Sequence, residues 1–151
     1  LFRYVIHLGA GIIETDIGAI LKEEISGREK IHKLMLLTVN SCELYPEYQQ
    51  LYHEITATGN QDFIVDIARE LESYAAAGLV KLIKQGQARG DIRTDLPAEV
   101  LAFTVDNAMV MMQYSLSTPY FKGRAQLYQV AAPSEFAEQM TENLWSVLEK
   151  R

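Results

Sequence analysis

The stretch LIKQGQARGDIRTDLPAEVLA, Leu82 to Ala102, holds the most information about the fold. At its centre stands Arg89-Gly90-Asp91, the tripeptide that adhesion ligands display. An adhesion ligand needs an exposed loop outside the cell, and no basic flank and small-residue cleavage site mark an export signal here. The residues read better as a junction between two helices. Gly90 supplies the left-handed conformation that closes a helix, and Arg89 places a cation at the negative end of its dipole. Ile92 is expected to tuck its side chain beneath the turn. Asp95 is expected to cap the next helix, with Pro97 in its first turn.

Helices extend from this junction in both directions. Upstream, Phe63, Ile64, Ile67, Leu71, Tyr74, Leu79, Leu82 and Ile83 keep a three-four rhythm, which predicts one helix from Gln61 to Ala88. At 1.5 Å per residue it is about 40 Å long. Gly78, after three alanines, allows a neighbour to approach closely. Downstream, Pro97 to Ser117 is apolar nearly all round, as in a helix buried on more than one side. Thr118-Pro119 stops it, and a looser segment, Tyr120 to Ala132, follows. Pro133-Ser134-Glu135 opens a last helix reaching Lys150, with a stripe of Phe136, Met140, Leu144, Val147 and Leu148 and with Trp145 on the flank. Nearer the start, Phe2 to Glu24 forms one helix. Ser26 and Glu29 make a capping box for a second, Arg28 to Leu44, and Pro46 starts a third that ends near Thr58. The whole is an all-α antiparallel bundle of about six helices in a single domain.

Composition supports a globular domain. The chain has 151 residues, is 48% hydrophobic and 23% charged, and carries a net charge of −6. Such acidity suits phosphate binding poorly. The one cysteine, Cys42, leaves no intrachain disulfide. Val100 to Phe121 has the length of a membrane span, but Asp106, Asn107 and Gln113 interrupt it, at a high cost in lipid.

Motifs for chemistry are incomplete. Gly9-Ala10-Gly11 resembles the start of a dinucleotide-binding turn, but Glu14 occupies the third glycine position. The alternative is a small surface on which another helix packs. His53-Glu54 begins a zinc-protease pattern whose second histidine is replaced by Ala57. The carboxylate pairs Glu14/Asp16 and Glu70/Glu72 lie on different sides of a helix, as solvated groups would. No enzyme, metal or cofactor is expected.

Two features stand out. Met109, Met111, Met112 and Tyr114 crowd one helix together with Asp106, Asn107 and Gln113. They form either core packing or the wall of an adaptable cavity. Thr38 to Cys42 interrupts an apolar helix in the same way. In addition, the last two helices carry more apolar surface than one copy is expected to cover, which suggests a dimer.

Three segments resemble the C-terminal ligand-binding and dimerisation domain of the TetR family of transcriptional regulators. They are LFRYVIHLG (Leu1 to Gly9), ELYPEYQQLYHEITATGNQD (Glu43 to Asp62) and the junction, whose glycine-acidic-aliphatic-Arg-x-Asp-aliphatic order is similar to the family's link into its dimer helix. The resemblance implies a cytoplasmic, ligand-responsive regulator, a repressor, acting as a homodimer. A basic helix-turn-helix upstream of Leu1 would bind the DNA. A small, largely apolar or aromatic effector is expected in a cavity lined by Thr38, Cys42, Phe63, Tyr74, Asn107 and Met111. Asn107 is expected to be its polar anchor. Met140, Leu144, Trp145 and Leu148 are expected at the dimer interface.

Overall fold

A computed structural model describes residues 2–57, 61–129 and 133–151. Seven helices follow in order: α1 (Phe2–Lys22), α2 (Gly27–Leu44), α3 (Pro46–Ala57), α4 (Gln61–Arg89), α5 (Ala98–Ser117), α6 (Pro119–Leu127) and α7 (Pro133–Leu148). None of the described helices is long and apolar enough to cross a membrane. The expected end of the third helix near Thr58, with the Gly59-Asn60 that follows it, and the last part of the expected loose segment, 130–132, fall outside the described residues.

Local chemistry sets most boundaries. Ser26 Oγ accepts the backbone N–H of Glu29, and the Glu29 carboxylate accepts the N–H of Ser26, so the capping box is complete. Tyr45 ends α2 and Pro46 opens α3. The segment after α5 departs from the expected loose connection, because α6 forms there. Thr118 is its extended N-cap and Pro119 its first residue, where a missing N–H costs nothing. No residue of α6 is buried, so no apolar stripe announces it.

The junction between α4 and α5 is tightly specified. Gly90 has φ +87°, a left-handed conformation, and its N–H reaches the carbonyl of Gly86 at 3.0 Å. Ile92 is fully buried, and a Cβ added to Gly86 would stand 2.5 Å from its Cδ1. Gly86 is therefore small so that Ile92 can seat against α4. Asp95 does not cap α5. Pro97 is the N-cap, with no side-chain cap bond, and Asp95 instead takes a two-pronged bond from the Arg93 guanidinium at 2.7 and 2.6 Å. The same strand-like piece ties down the end of α7. The Arg93 N–H donates to the carbonyl of Leu148, and the Lys150 N–H to that of Asp91, both at 2.9 Å.

α2 lies at the centre of the bundle, packed on α5 and α7, while α4 packs on α5 and α1. Ile31, Leu34 and Met35 of α2 meet Leu79, Leu82 and Ile83 of α4, Leu101, Val105 and Met112 of α5, and Ala137, Leu144 and Leu148 of α7. Two small residues of α1 and α4 allow close approach. An added Cβ on Gly78 would meet Leu21 at 2.4 Å, and one on Gly9 would meet the Tyr48 ring at 2.1 Å. Gly11, by contrast, has nothing within 4 Å. The end of α1 is fixed by Lys30 of α2, whose ammonium donates to the Leu21 carbonyl at 2.8 Å. That places a cation at the negative end of the helix dipole.

Truncation of Ile92 to Ala should leave a cavity beneath the turn and cost roughly 2–5 kcal/mol. Chemical denaturation of the wild type and the Ile92→Ala variant measures it, and a loss below about 1 kcal/mol would show that the junction tolerates an empty seat.

Candidate functional site

A cavity with a polar lining lies among α1, α2, α3, α4 and α5. It comprises two adjoining pockets, called lobes below, of about 110 Å³ and 240 Å³, which share Tyr52, Glu72, Asp106 and Val110 as wall residues. The first lobe adds Ala10, Glu14 and Ile17 from α1, Thr38 and Ser41 from α2, Tyr48 from α3, and Met109 and Gln113 from α5. The second adds Ile55, Thr56, Ile67 and Ala68.

Helical spacing explains the convergence. Tyr48 and Tyr52 are four apart and share one face of α3. Asp106, Val110 and Gln113 follow at four and three, which puts them on one face of α5. The Tyr52 hydroxyl donates to Glu72 Oε1 at 2.8 Å. Gln113 donates through Nε2 to Gln49 Oε1, and the fully buried Gln49 in turn donates to Ser41 Oγ at 3.4 Å. Ser41 and Thr38 return their hydroxyls to carbonyls of their own helix. This relay links α5, α3 and α2 through side-chain hydrogen bonds.

The carboxylates are held under pressure to neutralise. Burial raises Glu72 and Asp106 above the ordinary carboxylate range. For Glu72 the Tyr52 hydrogen bond opposes that rise, and the nearby Asp106 adds to it. The Tyr48 phenol is pushed up to about 12 by burial and then by Glu72 and Glu14. Tyr52 is raised for the same reasons, burial first and Glu72 next. Such sites can hold a charge only where something compensates it.

Beside the cavity, His53 bonds through Nε2 to Ser117 Oγ at 2.5 Å and rests on the Tyr114 ring, 4.1 Å between centroids. Burial lowers its basicity. The partial zinc motif is thus a packing residue. Among the described residues no three metal-ligating side chains converge.

Comparison with known proteins gives the architecture a context. No protein-family model matches the chain, and no curated protein matches it in sequence. Among solved structures, the chain is similar to a TetR family transcriptional regulator from Chloroflexus aurantiacus J-10-FL. The TM-score is 0.66 and the identity 16%, over 99% of this chain and 72% of that one. It is also similar to a protein of unknown function from Rhodococcus sp. RHA1, with TM-score 0.73 and identity 16%, over 99% of this chain and 73% of that one. The fold is TetR-like. At this identity the likeness concerns the helical architecture.

Within this TetR-like frame the sequence-predicted site residues scatter. Thr38 lines the first lobe. Cys42 lines a separate surface pocket with Val39 and Lys122, and burial pushes its thiol up to about 11. Tyr74 is half exposed, with its hydroxyl over Gly18 in an open groove between α1 and α4. Asn107 and Met111 are exposed on α5. The side chain of Phe63 lies outside the described residues. Asp106, one residue before Asn107 and so about 100° round the helix, faces inward instead. Glu14 and Glu72, expected to be solvated, line the cavity, whereas their sequence partners Asp16 and Glu70 are exposed. Of the four residues expected at a dimer interface, Leu144 and Leu148 are buried in the protomer's own core. Met140 and Trp145 pack at its edge, Trp145 against Gly27.

The raised carboxyls set a direction for stability against pH. A carboxyl whose folded pKa exceeds its unfolded value makes the folded state bind more protons, so stability falls as pH rises from the ordinary carboxylate range through the raised value. Asp106→Asn should remove part of that fall. Denaturation midpoints of the two proteins taken across this acid range test it, and parallel curves would contradict it.

Proposed function

We propose that this domain is the effector-binding and dimerisation part of a transcriptional regulator. A small molecule occupying the cavity alters operator affinity of a DNA-binding head upstream of Leu1. The observation that carries this reading is the position of Tyr48. Its ring lines the cavity and also rests on Gly9 of α1, the first helix of the chain. Occupancy of the cavity is therefore felt on the element that leads to the head. The likeness in fold to a TetR family regulator supports the assignment. A coupling of about 1–3 kcal/mol between effector and DNA is the usual scale, 5- to 150-fold in affinity. Without effector the head grips its operator, so the protein acts as a repressor. Thr38 is one wall of this site. Cys42, Tyr74, Asn107 and Met111 lie outside it.

The dimer uses the outward face of α5. Val100, Phe103, Asn107 and Met111 form one stripe at spacings of three and four, Phe103 is 65% exposed, and Leu96, in the bend before the helix, is exposed beside them in sequence. Val147 of α7 is also exposed. Two such stripes facing across a two-fold axis give an isologous four-helix interface.

A charge placed on this stripe should separate the subunits. Val100→Glu with Phe103→Glu should yield a folded monomer by sedimentation, with its helical circular dichroism retained, and a dimer of unchanged mass would refute the interface. Leu144→Ala should instead destabilise each protomer by roughly 2–5 kcal/mol, because that residue belongs to the core.

The regulator reading is tested with the complete encoded protein. Selection from random duplexes should recover an operator. A compound that raises the domain's melting temperature should weaken that complex, since a ligand of the folded state stabilises it. Failure to retain any duplex at low salt would defeat the reading.

A further inference from the structure

The lining of the cavity fixes the charge of its occupant. Three carboxylates from three helices, Glu14 of α1, Glu72 of α4 and Asp106 of α5, share its walls with the phenols of Tyr48 and Tyr52. No lysine, arginine or histidine lines either lobe among the described residues. Glu72 takes the Tyr52 hydroxyl, whereas Asp106 and Glu14 have no hydrogen-bond or ion-pair partner among the described residues. An anion would meet three carboxylates with no donor of positive charge. A bare metal ion has no three converging ligands among the described residues. The remaining walls mix apolar and neutral polar side chains: Ile17, Leu37 and Met109 beside Thr38, Ser41 and Gln113 in one lobe, Ile55 and Ile67 beside Thr56 in the other.

We propose that the cavity binds an organic cation, an amine or ammonium group carried on a compact apolar body. The cationic group sits at the wall common to both lobes, between Glu72 and Asp106, and the tyrosine rings add cation–π attraction. The body fills one of the apolar ends. This rests on the cavity being an effector site and adds the effector's chemical class. It also gives the burial of the carboxylates a use. Their negative charge is poorly compensated in the empty site, so a cation gains more there than at the surface, where water screens it. Burial raises both carboxyls, and a cation beside them favours their ionised forms.

The test uses three probes of one shape: phenethylamine, 2-phenylethanol and phenylacetate. Calorimetry should show the amine binding roughly tenfold or more tightly than the alcohol, and the acid not at all. Asp106→Asn and Glu72→Gln should each remove most of the amine's advantage while leaving the unliganded protein as stable or more so, which separates lost recognition from lost folding. Equal or tighter binding of the alcohol or the acid overturns the cation assignment and leaves the cavity an effector site of another class. No binding by any of the three also overturns it, and DNA retention by the complete protein then decides the regulator reading separately.

Discussion

The seating of Ile92 against Gly86 is the contact on which the arrangement of the bundle turns. It fixes where α4 ends and the direction in which α5 leaves. The short extended piece that follows also receives the end of α7, through the bonds of Arg93 to Leu148 and of Lys150 to Asp91. The consecutive helices α4 and α5 and the more distant α7 are thus tied at one corner by a single buried side chain and two backbone hydrogen bonds. Core packing then works on helices that are already placed. Ala98, Leu101, Ala102 and Val105 enter the core because α5 starts from a defined point, and Leu148 closes it from the other side.

Away from that corner the interior changes character. Near the junction it is aliphatic. Among α1, α3 and the middle of α5 it holds carboxylates, phenols and amides. Burying carboxylates in this way lowers stability. A chain selected for packing alone would replace Asp106 and Glu72 with aliphatic side chains, often at no loss or with a gain. The proposed cation recognition gives them a use. The relay of Gln113, Gln49, Ser41 and Thr38 supplies a rigid, fully bonded wall beside the less compensated acids.

The sequence discloses the junction and the helix order because both depend on local chemistry. A glycine with positive φ, a capping box and prolines at first turns act within a few residues. It discloses less where several solutions share one pattern. α5 is apolar on nearly every side, so its periodicity cannot say whether Asp106 or Asn107 points inward. The neighbouring helices decide, and they choose Asp106. Glu72 looks like any acidic residue on a long helix until Tyr52 is found above it. The four-residue spacing of Tyr48 and Tyr52 on a short helix was the available signal for the cavity. α6 has only its proline to mark it, since it buries nothing. The Arg93–Asp95 pairing shows a further limit: an aspartate before a helix has two satisfactory partners, and here the nearby guanidinium is the closer fit.

The contacts of α1 have a mechanical meaning. Lys30 holds its C-terminal end by the Leu21 carbonyl, and Leu21 itself is locked over Gly78 of α4. About 18 Å back along the helix axis, Gly9 rides on the ring of Tyr48. In the proposed function the helix acts as a lever, pivoted near Leu21 and pushed at Gly9. Its longer arm, joined to α4 where His7 meets Glu70, continues to Phe2, roughly 28 Å from Leu21. A movement of the Tyr48 ring arrives at the start of the chain enlarged by roughly half, as the ratio of those two arms requires.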